Sequence, residues 1–163
     1  MTAARHSGKG SSLLIGLIFL AVSLLAGRAG AVTTERIVAD PNSGLAIYGF
    51  DPIAYFTDGT PVRGRADVEL IFAGAVWRFR HESDRAAFLA HPDVYAPQFG
   101  GYDPVDVAQG RTIPGHPQIW LVRGQRLYLF ASERNRATFA RTAPTILVDA
   151  FQRWPTLYDG LSE

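Results

Sequence analysis

The chain has 163 residues, of which 47% are hydrophobic, and a formal net charge of +1, which suits one globular domain with an appendage. It has no cysteine, which excludes disulfides, thiolate metal sites, cysteine nucleophiles and lipid attachment at a signal-peptide cysteine. Residues 1–31 contain three of the 16 basic residues and no acidic residue. Residues 32–163 therefore carry 16 − 3 = 13 basic and 15 acidic residues, a net charge of −2. This net charge argues against a surface that binds nucleic acid or anionic membranes.

Residues 1–31 have the pattern of an export signal. Arg5 and Lys9 make a basic start, residues 13–26 are an apolar run, and Ala29-Gly30-Ala31 fits the small-x-small pattern before a cleavage point. The apolar run is shorter than the roughly 20 residues that a membrane-spanning helix needs. We therefore expect an exported protein, periplasmic or secreted, with no membrane span after signal cleavage. An uncleaved N-terminal anchor is the alternative.

Residues 32–43 are interpreted as a linker and residues 44–158 as one folded domain. Near the start of this domain, Asp51-Pro52 predicts the beginning of a short helix, because an N-cap oxygen is followed by proline at the first helical position. The structural interpretation of Asp51 is therefore a cap. The functional interpretation is a carboxylate beside Tyr55 at the edge of a pocket.

A first hairpin and helix are predicted next. Residues 68–72 and 76–80 read as two strands, and the period of two places Trp77 and Phe79 on one buried face. A short helix should follow to about Ala90, where His91-Pro92 ends it, because the residue before proline avoids the helical region.

A second hairpin with helices is predicted after residue 118. Residues 119–122 and 126–130 are the expected strands, and Ser132 is the expected N-cap of a helix over residues 133–141. A further helix is expected over residues 144–153, closed by Trp154-Pro155. The element order predicts an α+β fold, with a small antiparallel sheet from two hairpins and short helices packed on it. The two hairpin–helix units suggest a duplication, although their sequences do not align well enough to define a repeat.

The segment between the two units, residues 95–104, is the expected centre of the domain, and we call it the hub. It combines aromatic residues with the adjacent pair Gly100-Gly101. Adjacent glycines allow unusual backbone angles or the close approach of another group. We expect a pocket between the hub and the two hairpins, with a ligand-binding lining that consists of Asp51, Tyr55, Trp77, Tyr102, Asp103 and Trp120.

Several short motifs run through residues 44–155: Tyr48–Phe56, Trp77-Arg78-Phe79, Leu89-Ala90-His91-Pro92, Tyr95–Tyr102, Val107–Gly110, Leu127-Tyr128-Leu129 and Trp154-Pro155. Together they resemble the YHS-domain family, in its exported, stand-alone form. The resemblance implies a compact α+β module, since relatives occur alone behind signal peptides or fused to metal-transporting ATPases and oxygenase components. For the stand-alone form, the family name implies no settled activity.

The chain departs from that family at positions that bear on chemistry. Similar proteins commonly carry cysteine after the Gly-Gly-Tyr segment, where this chain has Asp103. His116 stands where relatives often have an acid, and Phe130 where they often have asparagine. Because a carboxylate prefers harder ions and has no redox chemistry, a thiol-based metal function is not carried over.

A metal site without thiols is a further hypothesis, although no cofactor is required. His116 with Asp103 and Asp106 is the best candidate set, provided that the loop over residues 111–117 folds back onto the hub. No nucleophile elbow, phosphate loop or dinucleotide fingerprint is present in the sequence. An Asp51–Asp103 carboxylate pair is an enzyme-like alternative.

Three functional hypotheses follow from these patterns. The first is an exported, non-catalytic binding module for a small ligand or a metal complex in the hub pocket. The second is a partner-docking module for a membrane transporter or an envelope oxidase, which rests on how relatives are fused. The third is a metal-dependent enzyme that uses His116.

Overall fold

Two β-hairpins, each followed by a helix, form the framework of the domain. The computed structural model describes Met1 and residues 35–161. The predicted signal peptide therefore lies outside the described residues, except for Met1. The described stretch from Glu35 onward belongs to one unit, which spans Val32–Glu163.

The elements follow one another in the order that the sequence predicts. The first half contains a 3₁₀ turn (Ile47–Gly49), α1 (Ala54–Thr57), β1 (Arg65–Phe72), β2 (Ala75–Phe79), α2 (Glu82–Ala90) and α3 (Pro92–Tyr95). The second half contains a 3₁₀ turn (Gln98–Gly101), α4 (Pro104–Val107), β3 (His116–Arg123), β4 (Arg126–Phe130) and α5 (Glu133–Asp159). Strand β1 pairs antiparallel with β2, and β3 with β4, as two separate two-stranded sheets. The predicted α+β class is confirmed.

Each hairpin packs against its own helix, and β4 contributes to both cores of the domain. Leu127 and Leu129 of β4 belong to the first core, whereas Tyr128 and Phe130 belong to the second. Along β2, Trp77 and Phe79 are buried while the residues between them are half-buried, as the alternation predicts. The first core packs these side chains around Phe88 of α2, and the second packs Phe130 and Tyr128 around Phe139 of α5. Burying such aromatic rings stabilises a domain that has no disulfides.

The two halves repeat the same backbone pattern with an offset of 51 residues. The pair Arg65↔Phe79 of the first hairpin corresponds to His116↔Phe130 of the second, so that 65 + 51 = 116 and 79 + 51 = 130. The register of each hairpin also shifts at the same place, after Arg65 and after His116. The suggested duplication is thus present in the backbone even though the sequences do not align.

Helix α5 differs from its prediction at its C-terminal end. It bends at Thr142, whose backbone angles (φ −128°, ψ 23°) are not helical, two residues before Pro144. This bend separates the two helices that the sequence predicts, and its cause is the clash of proline with the preceding turn. The expected stop at Trp154-Pro155 is wrong, because the helix continues through Pro155 to Asp159. No helix in the described part of the chain is both long and apolar enough to cross a membrane.

Residues that the sequence assigns to a linker take part in the packing. Val38 is fully buried, and its backbone N–H donates to the carbonyl oxygen of Gly100 at 2.8 Å. The N–H of Ile47 donates to the carbonyl oxygen of Val38 at 2.8 Å. The packed part of the chain therefore begins before residue 44.

Candidate functional site

Asp51 is fully buried and holds the backbone of two elements together. Its Oδ1 accepts the N–H of Ile53 at 2.8 Å, and its Oδ2 accepts the N–H of Arg80 at 2.7 Å, just beyond β2. Burial is the main cause that raises the pKa of Asp51 to about 6, with the neighbouring Asp84 carboxyl as a further cause. The helix starts later than Asp51-Pro52 predicts, because α1 begins at Ala54 with Ile53 at its N-cap position, and Asp51 instead holds the turn that precedes the helix.

Asp103 plays the same part in the second half. It is fully buried and accepts hydrogen bonds at 2.8 Å from the N–H groups of Val105 and Ala131 and from the side-chain Nδ2 of Asn135. Burial raises the pKa of Asp103, whereas these hydrogen bonds act in the opposite direction. Asp106 accepts from the same Asn135 amide at 3.0 Å and forms an ion pair with Arg111. Asp103 and Asp106 thus hold α4 to the start of α5 through the side chain of Asn135.

The predicted aromatic lining lies in the interior rather than around a shared pocket. Trp77 and Tyr55 belong to the first core and Tyr102 to the second, and each is at most 2% exposed. Trp120 is half-buried, and its ring packs edge-on against that of Tyr55 with centroids 5.2 Å apart. Ligand binding by this set stays a prediction, but the structure does not bring the six residues together.

His116 lies apart from the two aspartates with which it was grouped. It is exposed at the start of β3, where its Nδ1 accepts the N–H of Gln118 at 3.2 Å. Among residues 35–161, no three histidine, aspartate or glutamate side chains are placed to hold one metal ion. The predicted set of His116, Asp103 and Asp106 is therefore not assembled, and no other set of that kind replaces it in the described chain.

The glycine pair of the hub does admit another group closely, but this group is the chain itself. A Cβ on Gly100 would lie 2.0 Å from the carbonyl oxygen of Arg36, and one on Gly101 would lie 3.3 Å from the Cβ of Val38. Tyr102 fixes the same segment, because its hydroxyl donates to the carbonyl oxygen of Glu35 at 2.5 Å. Residues 35–38 thus fill the space where the sequence predicts a ligand.

A surface cleft remains beside this filled hub, and we call it the Arg36 cleft. Its volume is about 270 Å³, and it is lined by Arg36, Ala73, Gly74 and Tyr158. The Arg36 guanidinium lies over the Tyr158 ring, 4.6 Å from the ring centroid. A smaller hollow of about 100 Å³ continues from it past Arg36 and the β1–β2 turn.

The walls of the Arg36 cleft come from three separate parts of the chain. Ala73 and Gly74 form the tight turn of the first hairpin, Tyr158 lies near the end of α5, and Arg36 precedes the buried Val38. Tyr158 is itself positioned by Trp154, at 5.7 Å between ring centroids, which in turn packs on Phe99 of the hub. A cation on an aromatic face beside two very small residues can accept a small anionic group.

Sequence reasoning missed these four residues. The Ala73-Gly74 turn was visible as a turn, but no local signal marks Arg36 or Tyr158, which lie more than 100 residues apart in the chain. Another hollow, of about 330 Å³, lies between Gly110 and the α5 side chains of Gln152, Arg153, Thr156 and Leu157. It is lined mostly by one side of a single helix, so it is less well defined than the Arg36 cleft.

Comparisons with protein-family models, with curated proteins and with solved structures found no match for this chain.

Proposed function

We propose that the protein is an exported, non-catalytic binding module whose small ligand binds in the Arg36 cleft. The observation that carries the proposal is the Arg36–Tyr158 stack at 4.6 Å in a cleft walled by Ala73 and Gly74. Export rests on the signal pattern of residues 1–31, and relationship to the YHS-domain family rests on the motifs of residues 44–155.

The chemistry of the cleft favours a small molecule with an anionic group. A guanidinium presents its donors in a planar fork that matches carboxylate or phosphate, and stacking on Tyr158 restricts its orientation. Ala73 and Gly74 leave room next to it, because neither carries a side chain beyond Cβ. The volume of about 270 Å³ is slightly below the usual range for drug-sized ligands, which fits a ligand of few atoms.

The test is a titration of the ¹⁵N-labelled protein with single small carboxylates, inorganic phosphate and phosphate monoesters. Binding in the cleft shifts the amide signals of Ala73 and Gly74, and Arg36→Ala abolishes these shifts. Arg63→Ala is the matched control, since the Arg63 guanidinium also lies 4.6 Å from a ring centroid, that of Phe50, outside the cleft. The proposal is wrong if none of these anions shifts the two amides, or if Arg36→Ala binds as the unaltered protein does.

The other hypotheses stay predictions. A metal complex as ligand has no group of three suitable side chains in residues 35–161 to hold it. For the docking module, the relevant surface is the pair of Val148 and Phe151, which are 68% and 53% exposed and share one face of α5. Nothing in the described part of the chain indicates what would cover that pair.

A further inference from the structure

The two buried carboxyl sites have the same pattern of backbone hydrogen bonds. Asp51 accepts the N–H groups of Ile53 and Arg80, and Asp103 accepts those of Val105 and Ala131. In both cases the first donor lies in the turn after the aspartate and the second lies at the end of the hairpin. The N–H of Asp51 donates to the carbonyl oxygen of Val62 at 2.8 Å, and that of Asp103 to Ile113, 51 residues after Val62, at 2.9 Å. The two aspartates therefore occupy equivalent positions, although they lie 52 residues apart, because the stretch from Asp103 to Ile113 is one residue shorter than that from Asp51 to Val62.

The third partner of each aspartate is where the two sites differ. In the second half it is Asn135, whose Nδ2 donates to Asp103 at 2.8 Å from the first turn of α5. The position 51 residues earlier, in the first turn of α2, is Asp84. A carboxyl thus stands where the other half has an amide donor, within hydrogen-bonding reach of a fully buried carboxyl.

We propose that Asp51 and Asp84 share one proton in the folded protein and that this pair makes the first half sensitive to pH, whereas Asp103 has no such carboxyl at the equivalent position, which holds the amide of Asn135. Two ionised carboxylates cannot hydrogen-bond to each other, so the contact forms when one carboxyl is protonated and becomes repulsive when both are charged. The amide of Asn135 donates at any pH.

When both Asp51 and Asp84 are ionised, the groups that contact Asp51 provide no cation to balance the second charge. Asp84 faces it from α2, and Tyr55 faces it from α1 as a neutral phenol, whose pKa burial raises further. Arg80 offers its backbone N–H, whereas its guanidinium forms an ion pair with Asp58 at 2.5 Å. No cation compensates the pair in the described contacts of Asp51, which is why protonation is the remaining way to relieve the repulsion.

The consequence reaches the contact between the two halves. Asp51 holds the turn that leads into α1, and α1 carries Tyr55, whose hydroxyl donates to the carbonyl oxygen of Pro117 at 3.0 Å. Because the pKa of Asp51 in the folded protein, about 6, lies above its ordinary value of 3.8, the folded state binds a proton that the unfolded chain releases in that interval. The stability from this group is therefore present at low pH and is lost as the pH rises through about 6.

The reciprocal exchange Asp84→Asn and Asn135→Asp tests the proposal. For the wild-type protein, we expect the melting temperature to decrease as the pH is raised from 4 to 7, once the contributions of exposed carboxyls are subtracted. Asp84→Asn should flatten this fall and lower the pKa of Asp51, which carbon-detected NMR of the Asp51 carboxyl measures directly. Asn135→Asp should make the fall steeper and raise the pKa of Asp103 further.

Two results would overturn the proposal. One is an Asp51 titration in Asp84→Asn that matches the wild type, which would mean that burial alone sets its protonation. The other is an Asn135→Asp protein with an unchanged Asp103 titration. If Asn135→Asp does not fold, the Asp84→Asn titration decides alone, because an amide there reproduces an arrangement that the second half already contains.

Discussion

At Gly100 the backbone of another segment takes the place of a side chain. The residue has φ +62°, a conformation that costs an L-residue about 1–2 kcal/mol, and its missing Cβ makes room for the carbonyl group of Arg36. The two demands are separate, because one concerns the conformation of the residue and the other the space beside it. Glycine is the residue that meets both.

Comparing Gly100→Ala with Gly44→Ala separates these two demands. Gly44 has nearly the same angle, φ +67°, but no heavy atom within 4 Å of the place of a Cβ. We expect Gly44→Ala to lower the free energy of unfolding by about 1 kcal/mol, and Gly100→Ala by about 3 kcal/mol because an overpacking term is added. Urea denaturation measures both. Equal losses of unfolding free energy would mean that steric contact with residues 36–38 adds no cost at Gly100.

Individual capping residues could be predicted from the sequence, but their distant partners could not. Asp51-Pro52 is recognisable as the start of a turn, because the bond from the N–H of Ile53 to Asp51 spans two residues. The Ser132 cap was also predicted and is confirmed, since its hydroxyl accepts the N–H of Asn135 at 3.2 Å. The bond from Arg80 to Asp51 spans 29 residues, and no local pattern encodes it.

At the scale of elements, the two hairpins have the same type of turn, but glycine is the second central residue of the first turn and the first central residue of the second. In the first turn, Ala73 (φ 51°) precedes Gly74 (φ 78°), and in the second, Gly124 (φ 57°) precedes Gln125 (φ 56°). Both central residues of each turn have positive φ, as in a type I′ turn, which favours asparagine or glycine. Each hairpin therefore holds one residue, Ala73 or Gln125, in an unfavourable conformation.

Ala73→Gly should stabilise the protein. Glycine adopts positive φ without the steric penalty of a Cβ, and we expect a gain of about 0.5–1 kcal/mol in the free energy of unfolding. Ala66→Gly is the control, because Ala66 is also exposed but lies within β1, where glycine should cost about 0.5–1 kcal/mol. Chemical denaturation of the two variants should give opposite signs, and a loss in both would show that the turn is not strained at Ala73.

Element boundaries could be predicted where alternation or proline acts locally. The hairpins and the division of α5 near Thr142 follow from such signals. The end of α5 could not be predicted, because Pro155 removes one hydrogen bond while the packing of Trp154 on Phe99 and Tyr102 holds the last turns in place. Tertiary contact outweighs the local preference there.

At the scale of the whole molecule, the two cores meet along β4, whose Leu127 and Leu129 lie in the first core and whose Tyr128 and Phe130 lie in the second. The hydrogen bond from Tyr55 to Pro117 spans 62 residues, and the Tyr55–Trp120 ring contact lies beside it. The sequence predicts the buried face of β2 but not which aromatic residues face a cavity, because that depends on how the halves meet. The Arg36 cleft was unpredictable for the same reason, since its walls come from three distant segments.

Tyr55→Phe tests whether the two halves stabilise each other. Loss of the hydroxyl leaves the buried carbonyl oxygen of Pro117 without its donor, and we expect the free energy of unfolding to fall by about 1–2 kcal/mol. If the halves unfold as one unit, the slowest amide protons of β2 and of β4 should lose the same protection in hydrogen-exchange measurements. Tyr95→Phe is the control, because Tyr95 packs on Phe56 within the first half and should change stability by less than about 0.5 kcal/mol. A loss of protection confined to β2 would contradict the coupling and would mean that each hairpin core unfolds independently.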